Sequence, residues 1–366
     1  MKKILSIHYD EIALKGKQRG YFQSILIKNI EKKLGEKVRA IETRLIMENY
    51  NPAYLDKIIM TPGISWVSEA YSIEKDEKEL IKILSEVISD ERQINLDVKR
   101  VDKGYSKTSV ELKEELAKTL GIHFDKNGKK IRIEIMHDSF IINYNIIKCI
   151  GGMPIRSSGK VISLFSGGID SAIAPIEIMK RGATVDLLHV YALNSPDAAL
   201  DGKINEIVKK LGEIEPGIKL YLVPFHYFSV SSLKINKRYE LVMFKRFLLK
   251  LAERIAVENG YQAITSGDSL AQVASQTIEN INAISYGIDL PVFRPFIGYN
   301  KSEIIDKSKK YGLYDLSIED YKDCCSIVSR NPATKSNDTI IKKLEKEINM
   351  DKIINDSIND IKIVKY

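Results

Sequence analysis

Hydrophobic residues alternate with polar ones from Ile4 to Tyr9, the period of a strand with one buried face, and from Tyr21 to Leu34 they recur at helical spacing. Between these runs, Glu11 to Gly20 reads as a polar loop dense in lysine and glycine, without a hydrophobic face to bury. Arg39 to Met47 and Trp66 to Ile73 predict further strands, separated by a short helix near Leu55 to Met60 and the turn Thr61-Pro62-Gly63. An amphipathic helix over Glu77 to Ile88 follows, then a strand over Ile94 to Val101 and a helix over Thr108 to Leu120, opened by the cap-forming Thr108 and Ser109. Lys130 to Met136 and Phe140 to Ile147 alternate as a strand pair around His137-Asp138-Ser139. This mixture predicts two small α+β domains, over residues 1–70 and 71–155.

Gly151 to Lys160 is rich in glycine, proline and serine and has no period, which marks a domain boundary. Beyond it the grain changes. Strands at Val161 to Phe165, Thr184 to Tyr191, Lys219 to Pro224 and Ala263 to Ser266 alternate with helices at Ser171 to Arg181, Gly202 to Leu211 and Lys237 to Asn259. This is the rhythm of a doubly wound parallel α/β sheet over residues 156–366, which binds ligands at the carboxyl ends of its strands. Val161 to Phe165 is a continuous apolar run, the mark of a strand buried on both faces, and an amphipathic run from Ser171 to Lys180 follows it.

Composition is that of an ordinary globular protein, 44% hydrophobic and 29% charged over 366 residues. No apolar run approaches the roughly twenty residues that span a bilayer, and the N-terminus meets Asp10 too early for a signal peptide. A cytoplasmic protein with no membrane partner is expected. The net charge of +7 suggests a polyanionic partner, and the first fifty residues are the basic end. Lys15, Lys17 and Arg19 stand in the loop that ends at Gly20, and Lys99, Arg100 and Lys103 at a strand terminus followed by Gly104 and Tyr105. Each group suits contact with RNA phosphates or simply a solvated surface. Of the three cysteines, Cys149 sits in an apolar context and reads as a core thiol, while Cys324 and Cys325 are adjacent and no CxxC occurs.

The chemistry concentrates at Ser166 to Ser171, reading SGGIDS between a strand and a helix. Such a turn aims backbone N–H groups and a helix N-terminus at one point, which suits a phosphate. Asp170 beside bound phosphates needs a cation between them, and magnesium would supply it. The string fits neither GxxxxGK[ST] nor GxGxxG; it resembles the SGGxDS pyrophosphate loop of the PP-loop ATP pyrophosphatases, which adenylate a substrate while cleaving ATP to AMP and pyrophosphate.

Other strings appear in order: the loop Tyr9 to Arg19, Gly151-Gly152-Met153-Pro154-Ile155, Thr265 to Thr277, Arg294-Pro295-Phe296-Ile297-Gly298-Tyr299-Asn300-Lys301, and Asp323 to Pro332. Together they resemble the ThiI family of tRNA 4-thiouridine synthetases over nearly the whole chain. The resemblance implies a ferredoxin-like domain, a THUMP RNA-binding domain and a PP-loop domain, with uridine 8 of tRNA as substrate and ATP and magnesium as cofactors. It implies Cys325 as persulfide carrier, since Ser329-Arg330-Asn331-Pro332 completes C-x-x-x-S-[KR]-x-P, whereas Cys324 has no such match. Asp170 and Lys301 are then catalytic, with Asp170 also near the magnesium. Leu164, Phe165, Ser166, Gly167, Gly168, Ser171, His189, Val190, Lys245, Gly267 and Gln276 bind ATP.

The chain departs from the pattern at Ala172, usually proline, and at Asp268, usually glutamate. It ends at Tyr366 without the rhodanese domain some members carry, so the resemblance implies the form lacking it. No iron–sulfur cluster is expected, because the cysteine spacing for one is missing. The sulfur donor, a cysteine desulfurase persulfide or sulfide, stays open, as do a homodimer and a second role in thiamine thiazole synthesis. Two other readings remain: a PP-loop enzyme adenylating another tRNA base or a small substrate, and a non-catalytic tRNA-binding protein.

Overall fold

A computed structural model describes residues 1–9, 11–89, 93–321, 324–328 and 332–366, with Cys325 and Ser326 described in backbone only. Two units result, Met1–Pro154 and Ile155–Tyr366, so the boundary falls inside the predicted linker.

In the first unit the strands are β1 (Lys2–His8), β2 (Arg39–Ile41), β3 (Arg44–Met47), β4 (Trp66–Ile73), β5 (Gln93–Arg100), β6 (His123–Phe124), β7 (Lys129–Ile135) and β8 (Phe140–Lys148). They form one mixed sheet in the order β2-β3-β1-β4-β8-β7-β5-β6. The division expected between residues 70 and 71 falls inside β4, which pairs antiparallel with β1 on one edge and with β8 on the other. Among the described residues, a small cluster of Ile4, Ile46, Ala70, Met136 and Ile141 joins the two halves, and each half also has a larger cluster of its own. One gathers Leu5, Ile7, Leu26 and Ile30 near the chain start, and the other gathers Leu80, Leu84, Leu96, Ile131 and Phe140 under the Glu77–Ile88 and Ser109–Leu120 helices.

Thr108 caps the second of these helices as expected, its hydroxyl accepting from Glu111 N at 3.2 Å while Glu111 answers to Thr108 N. Two expectations are corrected here. Arg39 to Met47 is not one strand but a hairpin, turned at Glu42 with φ +51°. Glu11 to Gly20 is not a loop: Glu11–Gln18 is helical, kinks at Gly16 and leads into the Arg19–Leu34 helix. Its apolar contribution is Ile12, fully buried; one anchoring residue among cations leaves no periodic signal to read.

The second unit holds β9 (Lys160–Leu164), β10 (Thr184–Tyr191), β11 (Lys219–Pro224), β12 (Ala263–Thr265), β13 (Val292–Phe293) and β14 (Lys362–Lys365), in the sheet order β13-β12-β9-β10-β11-β14. All neighbours pair parallel except β14, which closes the β11 edge antiparallel and which its two exposed positions kept from reading as a strand. Four lysine-flanked residues carry too little pattern. The 23-residue Lys237–Asn259 helix lays Phe244, Phe247 and Leu251 on Ile162, Leu188 and Val223 of the sheet. After β9 the Ile169–Met179 helix starts two residues before the predicted run and is not amphipathic. Ala172, Ile173, Ala174, Ile176 and Met179 are all buried, because the helix lies between the sheet and further helices.

Candidate active site

β9 ends where Phe165 and Ser166 lead into Gly167 and Gly168. Gly167 has φ +83°, a conformation that favours glycine, and a Cβ added there would stand 2.5 Å from Ile204 Cδ1, so the end of that side chain would have to shift. The Ser171 hydroxyl accepts from Ser166 N at 3.1 Å and donates to Gly168 O at 3.0 Å, which ties the loop to the first turn of the helix. The N-terminus of that helix, worth roughly +0.5 charge, opens on a cavity of about 450 Å³. The cavity wall combines apolar Leu164, Phe165, Leu188, Val190, Leu241 and Leu248 with polar Ser166, Asp170, Lys245, Asp268, Gln276 and Lys301. A wall of this mixed kind suits a ligand with an aromatic base and a charged tail.

Two carboxylates organise the polar part. Asp170 receives Lys301 Nζ on Oδ1 at 2.5 Å and Gln272 Nε2 on Oδ2 at 2.8 Å. Lys301 comes from the N-terminus of the Lys301–Lys310 helix, where Asn300 and Glu303 form a capping box. Asp268 is the second: Lys245 Nζ and Gln276 Nε2 reach Oδ1 at 2.8 and 3.1 Å, and Ser266 Oγ donates to Oδ2 at 2.8 Å. Burial pushes the Asp268 carboxyl up, but the Lys245 ammonium and the Ser266 and Gln276 bonds outweigh it and hold it below the usual range. Gly267, between Ser266 and Asp268, brings this wall against the phosphate loop: a Cβ there would lie 2.7 Å from Asp170 C and 2.8 Å from Ser171 N.

Of the residues implied for ATP and catalysis, the structure gathers Leu164, Phe165, Ser166, Gly168, Asp170, Ser171, Val190, Lys245, Gly267, Gln276 and Lys301 around the one cavity. Gly167 and His189 are not in its wall. His189 is fully buried behind it; Nδ1–H donates to Phe165 O at 2.8 Å, which leaves Nε2 to accept from the Tyr321 hydroxyl, also at 2.8 Å. Burial lowers its pKa to about 4, so the ring is neutral.

Gln272 lines the cavity without having been named from the sequence. Asp268 and Cys324 line it although they had been noted only as a departure from the family pattern and as the unmatched neighbour of Cys325, and Tyr321 reaches His189 from outside the wall. Cys324 is buried in the cavity wall and its thiol donates to Val190 O at 3.2 Å. Cys325 follows it within the Cys324–Ile327 helical turn, but its side chain lies outside the described residues, as do Lys322, Asp323, Ser329, Arg330 and Asn331.

Gln272 Oε1 and Gln276 Oε1 are buried acceptors without a hydrogen-bond partner among the described residues. Acceptors so placed suit ligand amino or hydroxyl donors. Among the described residues no group of three or more His, Cys, Asp or Glu side chains converges as a metal cage. A single carboxylate, Asp170, beside a phosphate loop still fits magnesium, which keeps several waters and takes its other ligands from the substrate's phosphates.

In the first unit Lys15, Lys17, Lys99 and Lys103 are exposed. Arg19 and Arg100 are half-buried and bond to their own backbone, Arg19 to Ala13 O at 3.1 Å and Arg100 to Tyr105 O and Lys107 O at 3.3 Å. Cys149 is a buried thiol pushed up to about 12 by burial, the core residue expected.

Residues 156–350 match the family model described as thiamine biosynthesis protein (ThiI), and residues 4–68 match that of the ThiI ferredoxin-like domain. A "Probable tRNA sulfurtransferase" of Caldanaerobacter subterraneus subsp. tengcongensis is 33% identical over 371 residues, covering 96% of each chain. Another protein of that name, from Staphylococcus epidermidis, is 30% identical, covering 98% of this chain and 93% of its own. Among solved structures, a 4-thiouridine synthetase in complex with RNA and bound ATP superposes with a TM-score of 0.87 at 29% identity over 100% of both chains.

Proposed function

This chain belongs to the ThiI family, and from that premise we propose that it is an ATP-dependent tRNA sulfurtransferase that converts uridine 8 to 4-thiouridine through a persulfide on Cys325. One observation carries the reading: a phosphate loop, a lysine–aspartate pair and the start of the cysteine segment share one cavity wall.

The uracil 4-oxygen is a poor leaving group and is activated first. It attacks the α-phosphorus of ATP, the bond to pyrophosphate breaks, and a 4-O-adenylyl uridine forms. Ser166 to Ser171 would hold the departing pyrophosphate with backbone N–H groups and the helix N-terminus. Lys245 and Lys301, each fixed by an aspartate, present ammoniums to phosphate charge. Asp170 would hold magnesium, which when bound would supply positive charge to the leaving pyrophosphate.

The terminal sulfur of a Cys325 persulfide then attacks C4 and AMP leaves with the former 4-oxygen. A thiol, from a co-reactant or from this chain, cleaves the S–S bond, leaving a thiocarbonyl and a disulfide; the sulfane sulfur gains the two electrons that the thiols lose. A persulfide from a cysteine desulfurase, or sulfide with an oxidant, charges the carrier. The family's description as a thiamine biosynthesis protein favours a second use of the same sulfur in thiazole synthesis.

We read residues 1–70 and 71–155 as the ferredoxin-like and THUMP parts that take hold of tRNA, with Lys15, Lys17, Lys99 and Lys103 on phosphates. The test is nucleoside mass spectrometry of unmodified tRNA after incubation with the protein, ATP, magnesium, a desulfurase with cysteine, and dithiothreitol. 4-Thiouridine at position 8, absent with Cys325→Ala, is the expected result. Full thiolation by Cys325→Ala would overturn the assignment of that cysteine, and no thiolation by the wild type would overturn the function.

A further inference from the structure

The end of β10 grips the cysteine segment at two neighbouring positions. His189 Nε2 accepts from the Tyr321 hydroxyl at 2.8 Å, and the carbonyl of the next residue, Val190, accepts from the Cys324 thiol at 3.2 Å. On its other side His189 Nδ1 bonds to Phe165 O at 2.8 Å, the residue that precedes the phosphate loop. Tyr321 and Cys324 bracket the residues that lead to Cys325.

We propose that Tyr321 and Cys324 are positioning residues, a two-point clasp through which His189 and Val190 fix the segment bearing Cys325 against the phosphate-loop side of the cavity. The inference deepens the reading of Cys325 as sulfur carrier and rests on it. It also gives Cys324 a role distinct from that of its neighbour.

The geometry requires the ring of His189 in one tautomer. Phe165 O can only accept, so Nδ1 carries the proton and Nε2 is free to accept from Tyr321. Full burial disfavours a protonated ring, in which Nε2–H would instead donate to the phenol oxygen. In the neutral ring the Tyr321 hydroxyl is therefore the donor of this bond. At the second point, the buried Cys324 thiol serves as a weak donor to a strand-end carbonyl. The Tyr321–His189 contact lies outside the wall of the cavity that takes the nucleotide, whereas Val190 and Cys324 belong to that wall, so the clasp joins the transfer side to the nucleotide side.

Loss of the clasp should uncouple the two half-reactions. Adenylation, which needs the loop and its lysines, proceeds, while sulfur arrives less often and the activated uridine is lost to water. The measurement is AMP formed per 4-thiouridine formed, with kcat and the KM for ATP taken separately, using the full chain, unmodified tRNA, ATP, magnesium, the desulfurase with cysteine, and dithiothreitol.

Tyr321→Phe keeps the ring and removes only the hydroxyl. It should raise the AMP to 4-thiouridine ratio about tenfold, the rate factor for roughly 1.4 kcal/mol, with the KM for ATP within twofold of wild type. Cys324→Ser, whose hydroxyl still donates to Val190 O, should raise the ratio less than Cys324→Ala. A fall in AMP formation equal to the fall in 4-thiouridine, at unchanged ratio, would mean a merely structural role and overturn the clasp, as would a wild-type ratio in both Tyr321→Phe and Cys324→Ala. Cys325→Ala, run alongside, separates the two levels: thiolation retained there removes the carrier and the clasp together, whereas thiolation abolished there with a wild-type ratio in Tyr321→Phe removes the clasp alone.

Discussion

Lys301 Nζ lies 2.5 Å from Asp170 Oδ1 although the two residues are 131 positions apart in the chain. The lysine side chain is 43% exposed and the aspartate 17%, so the pair contributes little to folding, about 0–1 kcal/mol for such surface pairs. Its value is electrostatic and local. Asp170→Asn and Lys301→Met should each cut ATP-dependent 4-thiouridine formation by roughly 10²–10³, the range for removing one preorganised charge stabiliser. The midpoint of thermal unfolding should move by less than a few degrees. Activity loss accompanied by a large fall in that midpoint would make the pair structural instead.

Gly267 has no room for a side chain, since a Cβ would meet backbone atoms of Asp170 and Ser171 at 2.7–2.9 Å. Gly267→Ala should therefore destabilise by about 1–3 kcal/mol, the usual range for overpacking. It should also lower affinity for ATP by displacing the phosphate loop, seen in urea unfolding and in nucleotide titration respectively. Gly151 offers a control, because nothing stands within 4 Å of a Cβ there and only its φ of +76° is strained; Gly151→Asn, a residue that tolerates this region, should leave ATP affinity unchanged.

His189 gives the second unit a pH dependence. Its folded pKa of about 4 lies below the unfolded value of about 6.5, so the unfolded chain binds more protons between these values. Its contribution is complete above about pH 6.5 and is lost as pH falls toward 4, up to about 3 kcal/mol from 1.4 per unit. Stability measured by denaturant at pH 7 and pH 5 should differ less in His189→Gln than in wild type. An equal difference in the two would place the acid sensitivity elsewhere.

Asp268 works in the same sense and lower on the scale. Its carboxyl is held below the usual range, so its stabilising contribution is present above the unfolded aspartate value of about 3.9 and disappears only as pH falls through the folded one. Asp268→Asn should lose stability at pH 7, leave Lys245 without its carboxylate partner, and weaken ATP binding. Calorimetry of ATP binding to the variant checks the last point; unchanged affinity would make Asp268 a packing residue only.

Exposed Lys15, Lys17 and Lys103 should contribute uniformly across tRNA sequences. Replacing all three by alanine should flatten the slope of log affinity against log salt by about 2–3, at roughly 0.7–0.9 per phosphate contact. Arg19→Ala and Arg100→Ala, whose guanidinium groups bond to their own loops, should instead lower thermal stability more than the salt slope. Filter binding across a salt series separates the two classes.

Much of this was legible in the sequence, and what was not has physical reasons. The Val161 to Phe165 run and the glycine pair after it are dictated by local rules, so β9 and its loop could be read directly. The role of Asp268, noted only as a departure from the family pattern, could not, because it comes from Lys245 and Gln276, whose approach no local rule dictates. Cys324 was hidden by its neighbour: a pattern that selects one of two adjacent cysteines says nothing of the other, and only the path of β10 brings Val190 O to its sulfur. His189 was read as a nucleotide contact at a strand end, but one residue of register turns the side chain to the far face.

The sheet of the first unit has a consequence for synthesis. β4, complete at Ile73, pairs with β1 at once but finds its other partner only in β8, which ends at Lys148. At a translation rate of roughly 5–20 residues per second, the nascent chain carries an open strand edge for several seconds before Phe140 to Lys148 leaves the ribosome. The sheet of the first unit is therefore completed only once β8 has emerged, and until then the free β4 edge is the stretch that a chaperone has most reason to cover.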